Sequence, residues 1–258
     1  PQTLFGLDSS YEAAVIEMGM SHQGEISRMS MSCQPDVAVI TNIGISHIEN
    51  LGTQENILKA KLEILDGVAY DAPLILCRDD KLLAGVQLHS DRKIYYYSVS
   101  KKDCDVYASG VKTVDNSITF TINYEGGKIA AQINCLGEHN VKNALAAFCV
   151  GLALDIPPED IVKGIAQFKP EGLRQNVTVI DGVTYIVDCY NAAPDSMKAS
   201  LSVLSQAQAE GKRICVLGDM LELGKNSKTY HRNVGEYVAA SKAVIAYFIM
   251  GRSENSRN

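Results

Sequence analysis

The sequence predicts an α/β protein with a mostly parallel central sheet, an antiparallel subsheet beside it, and a second α/β unit toward the C-terminus. Three observations predict this. Short runs rich in Val, Ile and Leu at 13–18, 36–41 and 73–77 alternate with segments of helical spacing, the signature of strands buried on both faces and joined by crossover helices. From 93 to 136 the periodicity changes to two. After the break Lys169-Pro170-Glu171-Gly172, strand and helix patterns resume as a βαβαβ unit.

Taken in order, 13–18 reads as the first buried strand, 36–41 as the second and 73–77 as the third. Residues 54–69 repeat apolar positions at Ile57, Leu58, Leu62, Leu65 and Val68, which fits a helix. Tyr95-Tyr96-Tyr97, 106–114, 118–124 and 129–133 read as strands of the antiparallel subsheet. Glu125-Gly126-Gly127 makes a hairpin turn between the last two. Helices are expected at 141–154 and 158–168, the second opened by a Pro in its first turn. Beyond the break, strands are expected near 177–181, 183–188, 213–217 and 243–250, with helices near 195–208 and 229–241.

A chain of 258 residues accommodates two ordinary domains, expected at 1–169 and 170–258. Hydrophobic residues make up 46%, enough for substantial cores. A net charge of −6 without a Lys/Arg run argues against nucleic-acid binding. An anionic ligand would need local donors. The seven Cys form no CxxC pair and sit mostly in apolar runs, as in a reduced, cytoplasmic protein. No apolar stretch is long enough to span a membrane. The chain opens on Pro1 almost directly into a strand pattern and closes on a polar tail at 252–258, so a piece of a longer protein is expected.

Polar residues cluster where strands end, which is where open α/β sheets place ligands. Glu17 precedes Gly19 and the run Ser21-His22-Gln23-Gly24-Glu25-Ile26. A lone strand-end Glu is usually a solvated or capping group. His47 lies in Asn42-Ile43-Gly44-Ile45-Ser46-His47-Ile48-Glu49, where the bland alternative is a surface loop. Lys61 falls on the apolar stripe of its helix, and Lys59 does not. A buried ammonium there is costly unless it is paired, modified or snorkels to water. Gly137-Glu138-His139-Asn140-Val141-Lys142-Asn143 opens a helix with two amides on one face, for which capping by Asn140 is the plain reading. Arg174 sits at the break. Asp188-Cys189-Tyr190-Asn191-Ala192-Ala193-Pro194-Asp195-Ser196-Met197-Lys198 joins a strand to a helix, and Leu217-Gly218-Asp219-Met220-Leu221-Glu222-Leu223-Gly224 ends the next strand in an acidic turn.

These runs resemble the Mur ligases, in the family's order. The last two are close to DSYNANPDSMKAAL and LGDMLELG, and 137–147 follows G-x-H-N-x-x-N-x-x-A-A. Within the family the resemblance is strongest to the branch that adds D-alanyl-D-alanine to UDP-N-acetylmuramoyl-tripeptide. It implies an ATPase-type central sheet, a Rossmann-like C-terminal domain, and ATP-dependent amide ligation in peptidoglycan precursor synthesis by a cytoplasmic monomer. It also implies roles: Glu17 serving Mg2+ at the ATP phosphates, His47 and a carbamylated Lys61 serving a second Mg2+, with Glu49 in support. His139, Asn140 and Asn143 would meet adenine, Asp188 the ribose and Arg174 the phosphates. Tyr190, Asn191, Asp195 and Ser196 would face the acceptor, and His231 carries only a weak functional claim. Cys189 and Ala193 depart from the family's commoner Ser and Asn. No G-x-x-G-K-T/S phosphate loop occurs in these residues, so the 258-residue chain alone is expected not to ligate. The alternatives are a sibling ligase with another amino-acid acceptor and a non-catalytic chain that binds nucleotide or a partner.

Overall fold

Six strands that succeed one another in the chain also lie side by side: β1 (Ala38–Ile40), β2 (Leu74–Cys77), β3 (Ile94–Ser98), β4 (Val106–Val114), β5 (Ser117–Tyr124) and β6 (Gly127–Ile133). The computed structural model describes residues 2–88, 91–170, 172–207, 210–241 and 245–248. β1 to β4 run parallel, and β4, β5 and β6 are antiparallel. The Tyr95–Tyr97 strand therefore belongs to the parallel part, contrary to the expectation from its periodicity, with Leu74 paired to Ile94 and Tyr97 to Val106. Alternation reports which faces are buried and carries no information on strand direction. Tyr124 pairs with Gly127, so Glu125 and Gly126 make the expected two-residue turn.

Residues 13–18 form no strand. Val15 is 97% exposed, and β1 pairs only with β2. An apolar run becomes a strand only where a neighbour offers paired N–H and C=O groups, and none lies beside this one among the described residues. Met18 and Met20 do reach the main core.

Helices α1 (Gln2–Phe5), α2 (Glu25–Cys33), α3 (Ile48–Leu51), α4 (Gln54–Leu62), α5 (Glu138–Ala153) and α6 (Pro158–Gln167) accompany this sheet. α4 begins where the Thr53 hydroxyl accepts the Asn56 N–H at 3.2 Å, a cap worth about 1 kcal/mol. It is shorter than its periodicity suggested: from Glu63 to Asp66 the chain tightens into a 3-10 turn. Gly67 then passes so close to α2 that a Cβ there would meet the Ser30 carbonyl carbon at 2.1 Å. α5 carries the heaviest packing. Val141, Leu145, Phe148 and Cys149 are fully buried and lie over the sheet with Leu74, Ile75 and Leu76. Gly151 brings α6 close, since a Cβ would meet Ile161 Cδ1 at 2.5 Å.

A second, smaller core follows. Among the described residues β7 (Asn176–Ile180) and β8 (Val183–Val187) pair only with each other, whereas β9 (Ile214–Leu217) pairs in parallel with β10 (Ile245–Phe248). The expected βαβαβ succession is thus present in chain order but divided between two small sheets. The antiparallel pairing of β7 with β8 follows from the Asp181-Gly182 turn. Both residues are left-handed, at φ 49° and 78°, so the chain folds straight back into a twisted hairpin. α7 (Pro194–Gln206) and α8 (Ser227–Ala240) pack beside β9, with Met197, Leu201, Cys215, Val234 and Val238 buried among them. Gln208 of the predicted helix, the ends of the last predicted strand at 243–244 and 249–250, and the tail at 251–258 lie outside the described residues. No helix among the described residues is long and apolar enough to cross a membrane.

Candidate active site

The loops leaving β1 and β2 lace together at the carboxyl edge of the sheet. One oxygen of Asp80, after β2, accepts the Ile43 N–H at 2.7 Å; its other oxygen accepts the N–H groups of Leu82 and Leu83 at 2.9 and 3.0 Å. Gln54 donates to the Ile43 carbonyl at 2.9 Å. Lys61, on the last turn of α4, reaches the same loop, and its Nζ donates to the Asn42 carbonyl at 2.8 Å. Burial lowers the proton affinity of this amine, while the nearby Asp80 partly restores it. Lys59 on the opposite face is exposed.

Farther along the loop, elements of the second core arrive. A side chain at Gly44 would lie 3.6 Å from Asp195 Oδ2, in the first turn of α7. His47 caps α3 in a left-handed conformation, φ 61°. Its Nδ1 lies 2.5 Å from Glu222 Oε2, although the approach is off the axis of a well-formed hydrogen bond. The Glu49 N–H donates to the Glu222 carbonyl at 3.3 Å, and Ile45 packs into the second core. Behind this turn the His231 ring bridges Asp219 Oδ1 at 2.6 Å and the Ser227 carbonyl at 2.9 Å, propping the 219–224 segment.

At the start of α5, Gly137 adopts φ 97° and lets the His139 ring fold back against it, with Val203 of α7 beside them. Gln175 of the segment before β7 closes over this end. Its Nε2 pairs with His139 Nε2 at 2.8 Å, and its Oε1 accepts from Asn140 Nδ2 at 3.0 Å. Asn140 is therefore not the cap of α5, since that position belongs to Gly137. The Asn140 side chain donates instead to the Leu136 carbonyl at 2.7 Å. Burial lowers the proton affinity of His139, offset in part by the charge of Asp188. Asp188 also accepts the Ser200 hydroxyl. Arg174 stacks over Tyr190, with its guanidinium carbon 4.2 Å from the ring centre. A cleft of about 220 Å³ behind Gln175 is lined by Leu136, Pro170, Val177, Ile186 and Val203. A shallower one of about 500 Å³, bounded by Tyr107, Asn123 and Tyr124, shares no residue with these groups.

Other predicted residues stand apart. Glu17 is exposed and makes no hydrogen bond or ion pair among the described residues. The Asn143 side chain donates to Asn140 Oδ1 at 3.5 Å, its one side-chain hydrogen bond among the described residues. Asn191 accepts the N–H of its own neighbour Ala192, and Ser196 accepts the Ala193 N–H at 3.0 Å, so both shape the entry to α7. Among the described residues no three His, Cys, Asp or Glu side chains group closely enough to hold a metal ion. Asp80, Gln175 and Glu222 were not singled out from sequence. Asp80 did carry a signal, a carboxylate just beyond a buried strand, the same rule that selected Glu17 and Asp188.

The Mur ligase middle domain matches residues 1–151, more than half of the chain. The chain belongs to the Mur ligase family. The family's C-terminal part, the glutamate ligase domain, matches residues 173–258. UDP-N-acetylmuramoyl-tripeptide--D-alanyl-D-alanine ligase of Bacillus subtilis (strain 168) is 40% identical over 243 residues, which is 94% of this chain and 52% of that protein. The crystal structure of MurF from Acinetobacter baumannii superposes with a TM-score of 0.89 at 33% identity, covering 96% of this chain and 54% of that one. MurF ligase from Thermotoga maritima in complex with ADP superposes with a TM-score of 0.79 at 25% identity, covering 89% and 57%. The chain spans about half the length of the curated relatives it matches.

His139 makes the folded protein sensitive to acid. Its folded proton affinity lies below the ordinary histidine value of 6.5, so below that pH the unfolded chain takes up a proton that the folded one resists. This contribution to stability is complete above about pH 6.5 and is lost as the pH falls toward the depressed folded value. Urea-unfolding midpoints measured across that range should fall for the native chain and flatten for His139→Asn. Parallel curves for the two would contradict the assignment.

Proposed function

We propose that the protein joins D-alanyl-D-alanine to UDP-N-acetylmuramoyl-tripeptide with hydrolysis of ATP, as part of a chain that includes these residues. The observation that carries this is the convergence of both C-terminal motifs on one loop: Asp195 of the first against Gly44, and Glu222 of the second against His47. The names of the relatives and the ADP in a related structure support it. ATP phosphorylates the tripeptide's terminal carboxylate, and the dipeptide amine attacks the acyl phosphate with loss of phosphate. Such transfer depends on positioning and charge neutralisation.

We assign the domains as 1–169 and 170–258, with the reaction at their junction, in a cytoplasmic monomer. His139, Asn140 and Asn143 would meet the adenine, and Gln175 would yield its place there. Asp188 keeps one oxygen for a ribose hydroxyl beyond the bond from Ser200. Stacking on Tyr190 holds Arg174 while leaving the edge of its guanidinium, with its planar donors, for phosphate. Tyr190 and Asp195 would meet the acceptor, on a turn whose shape Asn191 and Ser196 maintain.

Magnesium asks for hard oxygen donors. The fit here turns on Lys61: as an ammonium it would repel a cation, but its half-buried amine, with lowered proton affinity, is suited to carbamylation. Glu17 would then serve one Mg2+ at the ATP phosphates, while His47 through Nε2 and a carbamylated Lys61 would serve a second, both neutralising phosphate charge.

Two outcomes test this on the longest protein whose gene encodes these residues. In a phosphate-release assay, D-alanyl-D-alanine should be preferred over single amino acids. Equal or better turnover with meso-diaminopimelate or D-glutamate would contradict the acceptor assignment. Lys61→Ala should abolish ligation, and added short-chain carboxylic acids should partly restore it. Native activity of that variant in CO2-depleted buffer would exclude the carbamate.

A further inference from the structure

We propose that Glu222 is a positioning residue for His47, holding the imidazole proton on Nδ1 and leaving Nε2 as the nitrogen with a free lone pair. An ionised carboxylate offers only acceptor oxygens, and a neutral imidazole offers one donor and one acceptor. The contact is off the axis of a well-formed hydrogen bond, but at 2.5 Å a lone pair on Nδ1 would face the carboxylate oxygen directly, so in the neutral ring this contact favours the proton on Nδ1. Nδ1 is shut away from solvent, so water cannot substitute for the carboxylate. Nε2 makes no hydrogen bond among the described residues.

The plain alternative is a surface ion pair, since the Glu222 side chain is half exposed and such pairs contribute little. The backbone argues against it. His47 and Glu222 both adopt the left-handed conformation, at φ 61° and 60°. Side chains rarely accept that conformation, and it persists where the surroundings over-determine it. Glu222 is also clasped from behind. Its carbonyl accepts the Glu49 N–H at 3.3 Å, and Gly224, itself at φ 59°, sits where a Cβ would lie 3.4 Å from Glu49 Cα. A residue that only decorated the surface would not need a strained backbone held from two sides. A carboxylate that fixes the tautomer of a histidine acts as an outer partner does in metal and acid–base sites, by orienting the ring and raising the basicity of the far nitrogen.

The tautomer can be read without any assay of turnover. The 258-residue chain carries five histidines, so 15N-histidine labelling with long-range proton–nitrogen correlation, assigned by the loss of signals in His47→Gln, isolates this ring. Native His47 should show a protonated Nδ1 and a bare Nε2. Glu222→Gly removes the carboxylate at a position whose backbone suits glycine, so the fold is retained, and His47 should lose that preference. Glu222→Gln keeps an acceptor oxygen and should largely preserve it.

The effect on the reaction rests on the ligase reading above. In the longer protein Glu222→Gly should lower kcat by roughly ten- to a hundred-fold with little change in KM for the acceptor, and Glu222→Gln should recover most of it. Protonation of Nε2 in native His47, an unchanged tautomer in Glu222→Gly, or a native kcat in that variant would each overturn the proposal. If the native protein ligates nothing, the ligase reading fails, while the tautomer measurement still decides the role of Glu222.

Discussion

The loop that follows β1 has to serve two cores at once, and the rest of the arrangement depends on how it is held. A parallel strand ends with backbone groups that its neighbours no longer pair, so the loop must find other partners. It finds them first within the main core, where Asp80, Gln54 and Lys61 fasten Asn42 and Ile43 from three directions. With its base fixed, the loop extends Ile45 into the second core and presents His47 and Glu49 to the turn at 219–224. Asp195 at the start of α7 meets the main core at Gly44 of this loop, and Gln175 ahead of β7 bridges to the start of α5.

Magnitudes separate the contacts that hold this junction from those that orient it. Full burial of an Ile or Leu side chain is worth about 1.5–3 kcal/mol, and Leu223 is buried in the second core while Ile45 packs against it from the loop. An exposed ion pair such as Lys163 with Asp160 contributes little, because water screens it. Apolar packing therefore supplies the adhesion. The directed contacts of Glu222, Gln175 and Asp195 supply direction, which matters more where a reaction depends on the placement of groups.

Much of this was legible in the sequence, because strand-end residues announce themselves by position. The choice of Lys61 over Lys59 followed from helical face together with the family resemblance, and the structure half-buries the one and exposes the other. The hairpin at Glu125-Gly126 was likewise readable. What escaped was tertiary. Glu222 and Gln175 matter through partners more than 30 residues away, and no local pattern reports such a pairing. Residues 13–18 had the composition of a strand without a neighbour to pair with. The direction of β3 was hidden because alternation is the same in either sense. Asp181-Gly182 did carry a hairpin signal, obscured by the expectation of a continuous parallel unit.

The shared loop is the central claim, and the amide of Glu49 reports on it most directly. It lies near the start of a four-residue helix, where N–H groups have no intrahelical partner, so only the Glu222 carbonyl of the second core can protect it. Native-state hydrogen exchange on the 258-residue chain should show this amide protected, with an opening free energy well above that of an exposed loop. Exchange of Glu49 at the rate of a free loop amide, while the amides of α5 stay protected, would show that the two cores do not meet there.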